Sequence, residues 1–331
     1  MSQSGFSATE KWTECVQLAS VIFDFHLVAQ TPLSLPEFKG SALRGGFGTV
    51  FKKVCCAFKN RLYCLDCSLN ETCTYAYVFE TPNTAKMEPG LTAQNLPHPF
   101  IIRPPLTPVL MLQPGDAFHF SLVLIGKGID FFPFFVYAFE ELGKTGLGKG
   151  QGRYILDSIS GEEGQQVYSR SSRTLMRNFT VYNIADQAVQ IKPSSHRLNL
   201  EFLTPTRITQ KNDLTKNLSF ELLMRNILRR GSLLARLHSD KEWELDYNTV
   251  FEKSRQIKVK YDGLRWYDWE RYSRRQRQRM NLRGFTGGIA FEGELAPFLP
   301  FILLGSRINI GKNTSFGMGW YRILSDEPSL N

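Results

Sequence analysis

Two stretches of this 331-residue chain carry side chains suited to holding phosphate. In the first, Gly305, Gly311, Gly317 and Gly319 surround Lys312. Glycines let backbone N–H groups approach a phosphate closely, and a lysine beside them adds charge. The spacing excludes a nucleotide-binding P-loop, because five residues separate Gly305 from Gly311 where that motif has four, and Asn313 follows the lysine where Ser or Thr is required. The same glycines also read as a tight turn that returns a helix to its sheet. The second stretch runs Trp266-Tyr267-Asp268-Trp269-Glu270-Arg271-Tyr272-Ser273-Arg274-Arg275-Gln276. It interleaves aromatics with arginines, the mixture RNA recognition needs: flat groups to stack on bases and cations to hold phosphates. Taken alone, Trp266 and Trp269 read as core residues, since tryptophan is mostly buried. Arg274, Arg275 and Arg277 have no matching acids and read as RNA contacts.

Cysteine and histidine supply the remaining chemistry. Cys55 or Cys56 with Cys64, Cys67 and Cys73 offers four thiolates, and the Cys64-x-x-Cys67 pair has the bite of a tetrahedral zinc site. A second CxxC is missing, so inert thiols and redox pairing stand beside structural zinc. Any such metal would staple the insertion and take no part in catalysis. Of the five histidines, His26 and His119 lie within apolar strands, His196 opens another strand, and His98 sits between Pro97 and Pro99. His238 ends a long helix four residues after Leu234. The helix dipole stabilises a histidine there without further purpose. It is still the best general-base candidate of the five, because histidine is the side chain whose ordinary titration lies near neutral pH.

Charge favours an anionic partner: the formal net charge is +9. Seven arginines from Arg265 to Arg283 stand against Asp268 and Glu270, so this one segment carries +5 of it. A 42% hydrophobic fraction with 25 Phe and 12 Tyr supplies ample core and argues against wholesale disorder. No apolar run is long enough to span a bilayer, and Met1 to Lys11 lacks a secretory layout. The expectation is a cytoplasmic protein without a disulfide framework.

These groups must be positioned by two similar halves. Pro133-Phe134 and an apolar helical stretch to Leu142 lead into Gly143, Gly146, Gly148, Gly150 and Gly152, then Arg153-Tyr154-Ile155-Leu156. Pro297-Phe298 and an apolar stretch to Leu304 lead into the second glycine loop, then Tyr321-Arg322-Ile323-Leu324. A helix, a glycine loop and a closing strand thus occur twice, which indicates duplicated domains. The rest of each half fits a βαββαβ order. Val21 to Ala29 is a strand. Ser41 caps a helix bearing Leu43, Phe47, Val50, Phe51 and Val54 on one face, and Phe100 to Arg103 and Ala117 to Ile125 are further strands. In the second half Arg197 to Leu203 is a strand, Ser219 to His238 a long helix, and Ile257 to Tyr261 and Gly287 to Glu292 strands. The linker falls within 158–195, where Phe179 to Ile184 forms an extra strand. The fold class is α+β: tandem ferredoxin-like domains at 1–160 and 161–331, the first with a cysteine insertion over 55–75 and the second with the glycine loop at 305–319.

These residues give the chain a resemblance to the CRISPR precursor-RNA processing endoribonucleases of the RAMP superfamily. It rests on Lys39-Gly-Ser-Ala-Leu-Arg-Gly-Gly-Phe-Gly48, the cysteine insertion ending Cys73-x-Tyr75 with Phe79-Glu80, Arg229-Arg230 through His238, Arg271-Tyr-Ser-x-Arg-Gln276, and Gly311-Lys-x-Thr-Ser-Phe-Gly-x-Gly319. The last two are the more specific. The resemblance implies binding of CRISPR repeat RNA and metal-independent cleavage in which a ribose 2'-hydroxyl attacks the adjacent phosphate, leaving 2',3'-cyclic phosphate and 5'-hydroxyl ends. For that chemistry His238 is the expected base or acid, with Tyr272 and Arg275 near the scissile phosphate, and RNA contacts are expected from Arg44, Lys149, Arg271, Ser273, Arg274, Gln276, Arg277, Lys312, Thr314 and Ser315. If structural zinc is held, Cys56, Cys64, Cys67 and Cys73 are its expected ligands, and no cofactor is expected for catalysis. Partners are repeat RNA and other CRISPR effector subunits, with no DNA and no membrane. Family members often carry a base histidine on or just after the first helix, and this chain has none between Ser41 and Glu80. Either His238 on the matching helix of the second half replaces it, or Tyr63, Lys52 or Lys53 serves, or the protein holds guide RNA in an effector complex without cutting it.

Overall fold

A computed structural model of the chain describes residues 12, 16–58, 64, 66–80, 96–183, 196–210, 213–239, 242–273 and 278–324, with backbone alone over 270–273 and 278–281. The chain divides into two compact units, Ser20–Val181 and a second composed of Met1–Ala19 with Tyr182–Asn331.

The first unit is built on β1 (Ala19–Ala29), α1 (Gly40–Cys55), β2 (Phe100–Arg103), β3 (Ala117–Ile125), α2 (Phe132–Thr145) and β4 (Tyr154–Gly161). Its sheet runs β2-β3-β1-β4 and continues through β5 (Gln166–Ser169) and β6 (Thr174–Leu175), every one of these pairs antiparallel. Strand alternation assigns the faces. Phe23, Phe25 and Leu27 of β1 are buried, while His26 between them is exposed. The buried side meets the apolar stripe of α1, where Phe47 stacks on Phe135 and Phe139 of α2 at centroid distances of 4.9 and 4.8 Å. Each such ring contributes about 1.5–3 kcal/mol by leaving water. Helix α1 starts one residue ahead of the expected cap: Ser41 lies inside it, and its hydroxyl donates to the Phe38 carbonyl. The expected division between residues 160 and 161 falls at the end of β4, and β5 and β6 carry the same sheet past it.

The second unit repeats the order with β7 (Arg197–Thr206), α3 (Phe220–His238), α4 (Tyr247–Ser254), β8 (Lys258–Asp262), β9 (Arg265–Tyr267), β10 (Glu270–Ser273), β11 (Gln278–Asn281), β12 (Gly284–Glu292), α5 (Leu299–Ile308) and β13 (Tyr321–Leu324). Its sheet runs β8-β12-β7-β13, with β9 continuing along β12 and β10 pairing β11 as a separate hairpin. This is the strand order of the first unit, so both are ferredoxin-like. Ser219 caps α3 as its sequence predicts, accepting from the Leu222 N–H at 3.2 Å. Helix α4, capped by Asp246, is an addition to the expected order. The extra strand expected over 179–184 is reduced to Tyr182–Asn183. The duplication reaches single side chains. Tyr154 opening β4 and Tyr321 opening β13 are both fully buried, and their hydroxyls donate to Phe139 and Ile302 carbonyls at 2.9 and 2.6 Å. Burial drives both phenols well above their ordinary pKa.

Candidate nucleic-acid interface

The glycine loop of the second unit begins where α5 ends at Ile308. Asn309 there adopts a left-handed φ of 55° and donates from its side-chain amide to the Met318 carbonyl at 3.0 Å. The Ile310 N–H donates to Gly319, the Gly319 N–H to Pro205, and the Lys312 N–H to Arg207. Thr204 adds a hydroxyl bond to the Gly317 carbonyl at 2.7 Å and accepts the Trp320 N–H at 3.0 Å. These N–H groups are committed inside the protein, so they serve the turn, and the Lys312 side chain is the exposed cation the loop presents. Thr314 and Ser315, expected to touch RNA, form a 3-10 turn that buries both; backbone geometry at this turn, not solvent access, sets their place.

The first unit uses the same device. The Lys149 N–H donates to the Ser34 carbonyl at 3.2 Å, as Lys312 does to Arg207, and the Lys149 side chain is exposed. Gly148 has a φ of 76°, and a Cβ there would collide with the Ser34 carbonyl oxygen. Arg44 is half-buried, its guanidinium 4.7 Å above the Phe79 ring.

Cations gather near the second loop. Arg207 is pushed below its ordinary pKa by burial and then by the neighbouring Arg283, which is paired to Asp268 at 2.8 Å. Arg230 is buried in α3 and donates from Nε to the Ile308 carbonyl at 2.8 Å, fastening the end of α5; burial lowers it to about 9. Strands β8 and β9 form an exposed edge on which Lys258, Lys260 and Tyr261, which sequence reasoning misses, join Arg265 and Trp266 in facing solvent, with Tyr261 59% and Trp266 38% exposed. Trp266 is therefore not the core residue its type suggests. Arg271, Tyr272 and Ser273 lie on β10 of the hairpin, whereas Arg274, Arg275, Gln276 and Arg277 lie outside the described residues, as does Tyr63.

Two expected roles require correction. His238 is the last residue of α3 and is fully buried, because its helix position turns it inward with Leu234 and Ala235. An imidazole closed from solvent does not reach a substrate phosphate. Cys56, Cys64, Cys67 and Cys73 do not form the expected zinc cage: no group of three or more His, Cys, Asp or Glu side chains able to hold a metal occurs among the described residues. Burial and then neighbouring thiols push Cys55 up to about 12; burial and then Glu80 push Cys64 up to about 11. Both should remain thiols at neutral pH. Alkylation by iodoacetamide is expected to be slow there and to accelerate only as the pH nears those values, with chelation leaving the melting curve unchanged. One zinc per chain by elemental analysis, lost with stability on chelation, would restore the metal reading.

No helix among the described residues is long and apolar enough to cross a membrane. Two family models match the chain: an N-terminal domain model named for AF_1859 over residues 18–180, and CRISPR-associated endoribonuclease Cas6 over residues 200–321. An uncharacterized protein of Archaeoglobus fulgidus is 26% identical over 299 residues, covering 88% of this chain and 93% of the relative. Among solved structures, a Cas6 product complex superposes with a TM-score of 0.56 at 17% identity, covering 92% of this chain and 100% of the other. Thermus thermophilus Cas6 gives 0.54 at 17% identity, covering 93% and 99%. A partial Cas6-RT-Cas1–Cas2 complex gives 0.59 at 12% identity, covering 93% of this chain and 46% of the other. The two matched segments fall on the two ferredoxin-like units.

Proposed function

We propose, on the premise that this chain belongs to the Cas6 family of RAMP proteins, that it is an endoribonuclease that binds CRISPR repeat RNA and processes its precursor. The observation that carries the reading is a coincidence of place: the segment matched to the Cas6 endoribonuclease model, 200–321, contains the loop presenting Lys312, the Arg207–Arg283 pair, and the aromatic-basic edge of β8 and β9. Phosphates would be held by these cations, and exposed Tyr261 and Trp266 would stack on unpaired bases.

The cleavage we propose uses the nucleophile that RNA itself carries. A ribose 2'-hydroxyl loses its proton to a general base and attacks the adjacent phosphorus. The bond to the 5'-oxygen breaks, and a general acid protonates the leaving oxygen, giving 2',3'-cyclic phosphate and 5'-hydroxyl ends. The protein's share is to orient the phosphate, supply base and acid, and place cations around the developing negative charge, without a catalytic metal. Tyr272, on β10, and Arg275, three positions later in the sequence, are proposed near that phosphate. Cleavage of a repeat transcript by purified protein in EDTA, with those product ends, is the direct test; tight binding with no cleavage in EDTA or magnesium would favour a guide-holding subunit of an effector complex.

Binding is expected to weaken with salt, since each phosphate held by a cation releases counterions. Replacing Arg274, Arg275 and Arg277 together by alanine should lower affinity and flatten the slope of log K against log salt by about 0.7 to 0.9 for each phosphate no longer held. An unchanged slope would place the RNA elsewhere.

A further inference from the structure

The outer face of the first unit's sheet holds a pair of histidines. In the antiparallel register of β1 and β3, His26 stands directly opposite His119, and both are exposed. Their ring centroids are 6.3 Å apart. His26 Nε2 lies 3.2 Å from the Ser160 hydroxyl on β4, so the imidazole is tied to the strand on its other side. The pairing of β1 with β4 slips at His26, where Ser158 is its partner and Leu156 is already that of Leu27, leaving Asp157 as the extra residue. Bulges of this kind re-aim side chains and recur beside active sites. Asp24 and Asp157 are the other charged side chains on these three strands, and Asp24 accepts from the Ser121 hydroxyl at 2.5 Å.

Ribose-assisted cleavage needs one neutral and one protonated group acting on different oxygens of the same phosphate. Two imidazoles at this separation can each reach a different oxygen, and histidine is the residue type present in both forms near neutral pH. A third group that orients the base is the usual companion. We propose that His26 and His119 are the acid–base pair of the cleavage reaction, with Ser160 positioning His26. This rests on the endoribonuclease reading above. His26, with Ser160 on Nε2, takes the 2'-hydroxyl proton through Nδ1 as the oxygen bonds to phosphorus. Protonated His119 gives its proton to the 5'-oxygen as the phosphorus–oxygen bond breaks. The pair ends with its protons exchanged, and a proton passing back through water resets it.

The test is single-turnover cleavage of repeat RNA by wild type, His26→Ala, His119→Ala and the double variant, across pH. Because both side chains are exposed, the variants should melt as wild type does. Each single variant should cut about a hundredfold to ten-thousandfold more slowly at unchanged RNA affinity, and the double variant not much more slowly than the worse single. Wild type should give a bell-shaped pH profile and each single variant should lose one limb. Ser160→Ala should slow cutting less and keep both limbs. Variants that cut at the wild-type rate, that lose affinity alone, or that slow down with the bell intact overturn the pair and leave the endoribonuclease reading standing. A wild type that never cuts overturns both.

Discussion

A repeat RNA carrying a single 2'-deoxy nucleotide just upstream of the cut is expected to bind nearly as tightly as the natural RNA and not to be cleaved at all. On the proposed reading the affinity is set by phosphate contacts and stacking, for which the exposed Lys312, Tyr261 and Trp266 are suited, and one missing hydroxyl removes only that group's own hydrogen bonds from the total. The chemistry has no such reserve. With the 2'-oxygen gone there is no nucleophile, and no side chain can restore it. Gel mobility and cleavage measured on the same substrate separate the two effects. Cleavage of the deoxy RNA would mean that water attacks, which would remove the cyclic-phosphate mechanism and with it the need for a base beside the ribose, while the proposed RNA interface on the second unit would be untouched.

The fold is legible because it is written twice. The helix, glycine loop and closing strand of 133–156 and 297–324 repeat down to Tyr154 and Tyr321, and the alternation of β1 and the stripe of α1 follow from periodicity alone. The candidate sites are less legible, for three physical reasons. Loop conformation decides exposure: Thr314 and Ser315 look polar and presentable, yet a turn held by distant carbonyls buries them. Helix phase decides access: His238 shares the inward side of Leu234, and that placement, visible in the sequence, already argues against contact with substrate. Register decides neighbours: in Phe25-His26-Leu27 and Phe118-His119-Phe120 alternation turns each histidine away from its apolar neighbours, but only the pairing of the strands shows that the two stand opposite one another. The membership of Met1–Ala19 in the second unit, like the capture of Trp12 between Phe298 and Phe301, rests on contacts too distant in sequence for local patterning to reveal.

Replacing Gly319 by alanine is expected to cost more than removing the lysine the loop presents. Gly319 has a φ of 73°, where a side chain costs on the order of 1–3 kcal/mol in strain. Its added Cβ would also fall on the Ile310 carbonyl oxygen, well inside contact distance, and that carbonyl belongs to the same residue whose N–H donates to Gly319. The loop cannot yield locally, because the Gly319 N–H is bound to Pro205 and the next residue, Trp320, donates to Thr204 on β7. Relief therefore means pulling the loop off the strand, which displaces Lys312 and the start of β13 together. Gly319→Ala should lower the unfolding midpoint in urea and weaken RNA binding in parallel. Lys312→Ala should leave the stability within about 0.5 kcal/mol of wild type, as exposed substitutions usually do, and lower affinity alone, because a lysine that holds phosphate acts in ground and transition states alike. Its cleavage rate at saturating RNA should stay close to wild type. If Gly319→Ala melts normally, the crowding at Ile310 is relieved without moving the loop and the anchoring through Pro205 and Thr204 is not what holds it. If it melts early but binds RNA as wild type does, the glycine loop is a structural turn only, and the holding of phosphate passes to the arginine segment from Arg265 to Arg283.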